Sequence, residues 1–376
     1  MIESLTIQQL LAQNFAEYLG SHQPDRHRLK VCRHLLSCHT PALGGIAYQC
    51  DHCHDQFPLY HGCRDRHCPQ CQSRASRRWS ERQQQDILPV TYHHLVFTLP
   101  HELNGWMQLH PEVIYALLFK VVWQTLKAFA ADPKRLGGRL GMTAVLHTWG
   151  QNLSQHVHLH CLIPGGVLSK SNEWHAAKST YLFPVRALSR HFRGNMVSAL
   201  RGAANSDKLS RVIRAGEVDK VLHQVMQKDW VVYSKPCINH TEAIVNYLAR
   251  YSHRVAISDQ RLISMDKDGV RFRYKDYQKN QYRTLTLSCD EFIRRFMMHV
   301  LPKGLMRLRH YGLLANRCRK ASLEMIRRSL ARPTEVKAKR DEYDPTWLPC
   351  PKCGQGHLLQ SYRLEPVVSS DSLVFG

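Results

Sequence analysis

Seven of the chain's thirteen cysteines fall between Cys32 and Cys71, and four of them read Cys50-x2-Cys53, fourteen residues, then Cys68-x2-Cys71. A CxxC knuckle lets two thiolates grip one Zn²⁺, and two knuckles complete a tetrahedron. The spacing predicts a structural zinc held by Cys50, Cys53, Cys68 and Cys71. With all four positions filled, such a site cannot activate water. Cys32, Cys38, Cys63, His61 and His67 lie close enough for a second site, but their spacing is irregular and packed free thiols account for them equally well. Cys350-x2-Cys353 is half a knuckle without an evident second half. The opening Met1-Ile2-Glu3-Ser4 has no basic leader segment, so a reducing bacterial cytosol is the expected compartment.

Fifty-two Lys+Arg against thirty Asp+Glu give the 376 residues a formal charge of +22. That charge calls for a polyanion, and nucleic acid is the default partner, with the nucleoid as the expected location. Hydrophobic residues make up 43%, which excludes disorder throughout. Apolar runs stay short of a membrane span: Val113–Ala131 is broken by Lys120, Gln124 and Lys127. Candidate phosphate contacts are Arg74, Arg77 and Arg78 after the cysteine cluster, Arg250 and Arg254, and Arg307 and Arg309. Trp79, Trp106 and Trp149 are available for base stacking, with Trp106 better suited to a core.

Periodicity predicts an opening helix capped by Thr6, a strand over His93–Leu99, a buried helix over 111–131 and basic helices over 184–229. Met142–Gln151 and His156–Pro164 read as a hairpin across the link 152–155. Thr241–Tyr251 opens another helix, and Arg261–Met265, Val270–Tyr274 and Tyr282–Leu287 alternate as a meander. From Lys303 to Arg340 twelve basic residues face two acids, as in a basic helical arm. The expected domains are 1–85 (helix and zinc module), 86–302 (core) and 303–376 (arm and tail).

Residues two apart on a strand share a face, so His156, His158 and His160 project together while Val157, Leu159 and Cys161 pack behind them. Imidazoles crowded on an apolar strand suit a divalent ion. Pairing across the link would set Gln151 opposite His156, Trp149 opposite His158 and His147 opposite His160, making His147 and Gln151 candidate third ligands beside His156. On the Thr241 helix, Tyr247 and Tyr251 are four apart, so both hydroxyls leave one face. A phenol is a poor nucleophile at neutral pH because its pKa is near 10, and a nearby cation lowers that barrier.

His158-Leu159-His160 with Tyr247 and Tyr251 resembles the HUH endonucleases. The ordered series Cys63–Gln72, Tyr92–Pro100, Leu146–Leu153, His158–Gly166, Tyr247–Ile257 and Arg309–Leu314 is similar, more closely, to the two-tyrosine rolling-circle insertion-sequence transposases that carry an N-terminal zinc-binding domain. The chain departs from that pattern at His156-Val157, where His-Pro is expected, and at Ile46, where a His often follows Gly-Gly. The resemblance implies an α+β fold: an HUH-endonuclease-like antiparallel sheet with packed helices, a zinc-binding module before it and a basic helical C-terminal region after it. It further implies Mg²⁺ or Mn²⁺ at His158 and His160, tyrosine attack leaving a 5′-phosphotyrosine, and single-stranded transposon ends and target DNA as substrates. A homodimer and a host helicase are partners such an enzyme could take, and no membrane is among them. Competing readings are a plasmid relaxase or replication initiator, a non-catalytic zinc-dependent DNA-binding regulator, and a metallohydrolase with a water nucleophile.

Overall fold

The computed structural model describes residues 5–72, 76, 86–177, 182–212, 217–237, 255–276, 279–330 and 348–367. Helix α1 (Ile7–Ser21) starts at Thr6 through a reciprocal cap: the Gln9 N–H donates to Oγ1 of Thr6 at 3.1 Å, and the Thr6 N–H donates to Oε1 of Gln9 at 2.9 Å. Its apolar face buries Ile7, Leu10, Leu11 and Phe15. Asp25 caps α2 (Arg26–Leu36), which leads into the hairpin β1 (Gly45–Cys50) and β2 (Gln56–Tyr60).

The second layer opens with β3 (Tyr92–Thr98), the short α3 (Asn104–Leu109) and α4 (Pro111–Ala131), where Pro111 occupies the first turn that tolerates it. Then come β4 (Gly141–Trp149), β5 (Gln155–Pro164), the small pair β6 (Gly166–Leu168) and β7 (Trp174–Ala176), helices α5 (Val185–Asn205) and α6 (Glu217–Met226), and β8 (Val232–Cys237). By length and composition α4 could cross a membrane, but Ile114, Leu118, Phe119, Val122 and Leu126 lie in the core beneath the sheet. Leu95, Phe97, Val157, Leu159, Cys161 and Leu146 supply the sheet's contribution to that core. Phe97 meets Phe192 of α5 edge to face at 5.1 Å.

The third part is the meander β9 (Leu262–Asp266), β10 (Gly269–Asp276) and β11 (Gln281–Leu287), followed by α7 (Cys289–Met298), whose N-cap is Ser288. These elements pack with α1 and α2 into a second core that also takes in Trp149 and Leu153 from the β4–β5 connection. The C-terminal region holds β12 (Leu308–Gly312), α8 (Arg319–Ser329), β13 (Leu348–Pro349) and β14 (His357–Leu364). Its described residues are thus helical only in α8; β12 joins the central sheet, and β13 and β14 join the N-terminal hairpin.

The central sheet is antiparallel, in the order β12-β4-β5-β3-β8, and the His-rich strand β5 lies in its middle. The architecture is α+β. The hairpin register differs by two residues from the sequence expectation: His147 pairs with His158 and Val145 with His160, with an irregularity between His147 and Trp149. The connection is longer than the four-residue link, because Gly150 N–H donates to the Ser154 carbonyl at 2.9 Å and Leu153 turns with φ +61°. A two-residue slip preserves side-chain facing, so the imidazoles still share one side.

His299, just after α7, pins this turn. Its Nε2–H donates to the Leu153 carbonyl at 3.1 Å, and Nδ1 faces the Thr148 hydroxyl at 3.2 Å. Burial pushes its pKa down to about 4, so the folded ring is neutral where the unfolded ring, near 6.5, takes a proton. Between those values the unfolded chain binds more protons. Stability present above pH 6.5 is therefore lost as pH falls towards 4, by about 3 kcal/mol from this residue. Denaturant titrations between pH 7 and pH 4 should show that slope, and His299→Gln should flatten it.

Candidate metal centres and active site

On β5 the residues Val157, Leu159 and Cys161 are sealed against α4 and α5, which turns His156, His158 and His160 to the opposite face. His147 arrives from β4 as the cross-strand partner of His158. One ligand nitrogen from each of His147, His158 and His160 lies within 4.8 Å of the others, a spacing that fits three imidazoles around one divalent ion. Nδ1 of His158 contacts the His156 carbonyl at 2.8 Å, which leaves Nε2 to face a metal. Nδ1 of His160 lies 2.8 Å from Nε2 of His94, and the two rings stack at 5.1 Å. Burial pushes His94 down to about 4, so it is neutral, and the pair shares one N–H.

His94 is absent from the sequence-level site. It comes from β3, and only the sheet places it beside His160. His156 is exposed on the same face, its ring 4.9 Å from that of His158. Gln151 does not reach the ladder position opposite His156: Gln155 pairs with Trp149, and Gln151 lies in the turn, its carbonyl accepting from Arg261. Trp149 is buried, stacked on His147 at 4.6 Å, and Trp106 is buried in the main core, so neither ring face is open to a base.

The cysteine pairing also differs from expectation. Cys68 and Cys71 gather with Cys38 and Cys63, not with Cys50 and Cys53. Sulfur separations are 3.5 Å for Cys38–Cys68, 3.6 Å for Cys38–Cys71 and 3.8 Å for Cys63–Cys71. Thiolates held at about 2.3 Å around a tetrahedral zinc stand about 3.8 Å apart, whereas a disulfide needs about 2.05 Å. Backbone N–H groups of Cys63, Arg64 and Asp65 point at the sulfurs of Cys38, Cys71 and Cys63 at 3.3–3.4 Å, donors suited to thiolates. Thiol hydrogen bonds from Cys63 and Cys68 hold Cys38 well below the usual thiol range, which favours the thiolate there. The donors fit a soft, closed zinc site made of four thiolates.

Cys38 and Cys63 were visible as nearby cysteines. The long loop between them hid their membership, and β1–β2 closes that loop. Cys50 and Cys53 face Cys350 and Cys353 instead. Cys32 is not a ligand: its thiol contacts the Met297 sulfur at 3.3 Å, and burial pushes it up to about 12.

Within the Cys63–Cys68 loop, Asp65 binds His34 and His67 at 2.9 Å each, and the Leu301 N–H donates to Nε2 of His67 at 3.1 Å. Arg66 donates to the carbonyls of Leu301, Pro302 and Leu305, which locks the cysteine loop to the segment before β12. Arg307 joins that lock by donating to Gln72 at 3.0 Å, and burial lowers its pKa to about 10. Arg309 pairs in register with the core residue Ala144 and lies over the Phe119 ring at 4.2 Å, behind the sheet from the imidazoles. Both arginines thus also have packing partners within the fold. Arg74, Arg77, Arg78, Arg250, Arg254, Tyr247 and Tyr251 lie outside the described residues.

Residues 141–322, which contain the imidazole cluster, match a family model described as "Putative transposase", and residues 10–99 match one described as "Transposase zinc-binding domain". The chain is 41% identical over 341 residues to the Sinorhizobium fredii protein described as "Putative transposase y4qJ", covering 86% of each chain. It is 28% identical over 297 residues to the "Transposase for insertion sequence element IS801" of Pseudomonas savastanoi pv. phaseolicola, covering 75% of this chain and 69% of that one. No solved structure matches it. Fold, clustered ligands and these relatives agree, and the chain belongs to the two-tyrosine rolling-circle insertion-sequence transposases with an N-terminal zinc-binding domain.

Proposed function

We propose that this transposase nicks and rejoins single-stranded DNA through tyrosine–phosphate intermediates, with His147, His158 and His160 holding a divalent ion beside the scissile phosphate. The observation that carries the reading is the convergence of three imidazoles, one backed by a neutral His94, on the face of the central antiparallel sheet that turns away from the main core. Three nitrogen donors, with no carboxylate among the described residues of the cluster, suit Mn²⁺ better than Mg²⁺. A bound ion would supply positive charge where negative charge builds on the phosphate, and three protein ligands leave coordination room for a phosphate oxygen.

Tyr247 or Tyr251 is the proposed nucleophile. The Tyr–O–P bond forms as the bond to the 3′ oxygen breaks; the phenol proton passes to solvent or a nearby base, and the leaving oxygen takes up a proton from that same source to become the 3′-OH. The phosphotyrosyl ester conserves the energy of the broken diester, so a 3′-OH can attack it and rejoin the strand without a nucleotide cofactor. Two tyrosines would let one hold the donor end while the other cuts the target.

The test is incubation with single-stranded oligonucleotides from the element's ends and Mn²⁺, followed by a denaturing gel. A metal-dependent protein–DNA adduct is expected. Cleaved strands without attachment would indicate a hydrolase, and neither product would indicate a regulator; both outcomes overturn the proposal.

A further inference from the structure

The two CxxC segments at opposite ends of the chain have matching local geometry. After Cys53, His54 takes φ +59° and returns its N–H to the Cys50 carbonyl at 3.1 Å; after Cys353, Gly354 takes φ +66° and returns its N–H to the Cys350 carbonyl at 3.0 Å. Backbone donors meet the sulfurs in both: the Cys53 N–H reaches Sγ of Cys50 at 3.4 Å, and the Gly356 N–H reaches Sγ of Cys353 at 3.4 Å. The knuckles interlock crosswise, with Sγ–Sγ separations of 3.7 Å for Cys50–Cys353 and 3.7 Å for Cys53–Cys350. That is tetrahedral thiolate spacing around zinc and far outside disulfide range. Gly356 passes so close that an added Cβ would stand 2.6 Å from Sγ of Cys50, so the approach tolerates no side chain.

Strand pairing by itself gives the tail a weak hold. β14 pairs with β1 from Gly45–Leu364 to Cys50–Leu358, but Leu359 and Tyr362 remain half-exposed and no residue of β14 enters a hydrophobic core cluster. The polar contacts gather instead at the knuckles: His357 N–H donates to Asp51 at 2.7 Å, and Lys352 pairs with Asp55. Cys50 and Cys350 are buried. Buried sulfur clusters without an apolar core are what a metal-closed module shows.

We infer that Cys50, Cys53, Cys350 and Cys353 form a second structural zinc site, which clasps the C-terminal tail onto the N-terminal sheet. Each thiol releases its proton to solvent as its Zn–S bond forms. Cys350 and Cys353 lie outside both stretches matched by family models, 10–99 and 141–322. The clasp joins cysteines 297 and 303 positions apart and makes residues 348–364 part of the zinc module. It also puts β1–β2 and β13–β14 on one sheet, with every element from β3 to α8 in the chain between them.

Elemental analysis of the full chain, purified without chelator, tests this. The wild type should carry two zinc ions per chain and the Cys350→Ser/Cys353→Ser variant one. Amide exchange over Leu358–Arg363 should quicken at least about tenfold in the variant while β3–β5 stays protected. One zinc in the wild type, or two retained in the variant, overturns the inference. Should the variant precipitate, cobalt titration of metal-stripped wild type decides: thiolate-to-cobalt absorption should saturate at two equivalents, and saturation at one overturns it.

Discussion

The Tyr247→Phe/Tyr251→Phe double variant should form no covalent adduct with single-stranded DNA and no joined product, while its gel-shift affinity stays near that of the wild type. Removing both hydroxyls deletes the only atoms to which phosphorus is proposed to bond, whereas two phenyl rings keep the aromatic side chains and nearly all their volume. Affinity for DNA rests mainly on phosphate contacts from basic side chains, which the change leaves alone. Each single variant should lose strand transfer completely yet keep partial nicking, because one tyrosine suffices for a first cut and two are needed for exchange. An adduct from the double variant would remove both residues from the nucleophile's role.

His158→Ala or His160→Ala should lower metal-dependent cleavage by about a thousandfold, equivalent to about 4 kcal/mol of transition-state stabilisation. Two imidazoles would hold the proposed ion less well than three, and without it no positive charge would offset the negative charge building on the phosphate. DNA binding should change by no more than about twofold. Equal loss of binding and cleavage would mean that these rings support the fold instead. His94→Ala belongs to the same series with a smaller effect, about ten- to a hundredfold in metal affinity, because His94 acts through its 2.8 Å contact with His160 rather than on the ion.

Local patterns along the chain carried a good part of the fold. The helix over Pro111–Ala131, the meander strands and the Thr6 cap follow from periodicity and capping chemistry that act within a few residues. The shared face of His156, His158 and His160 follows from the two-residue repeat of a strand. The hairpin register was a different matter. Leu153 in a left-handed conformation lengthens the turn, and that depends on burying Leu153 and Trp149 in the second core. No local rule contains that cost, so Gln151 could be placed opposite His156 on paper while the protein keeps it in the turn.

The types of candidate metal ligand were legible in the sequence itself, as CxxC knuckles and alternating histidines, and so was the large excess of positive charge. Which cysteine joins which was decided only in three dimensions. Nearest spacing along the chain favoured Cys50 and Cys53 with Cys68 and Cys71, yet β14 brings Cys350 and Cys353 to β1, and the loop closed by β1–β2 brings Cys38 and Cys63 to the others. Coordination depends on distances of a few ångströms in space. Loop closure grows costlier only slowly with length, so a partner some 300 residues away can outcompete one nearby.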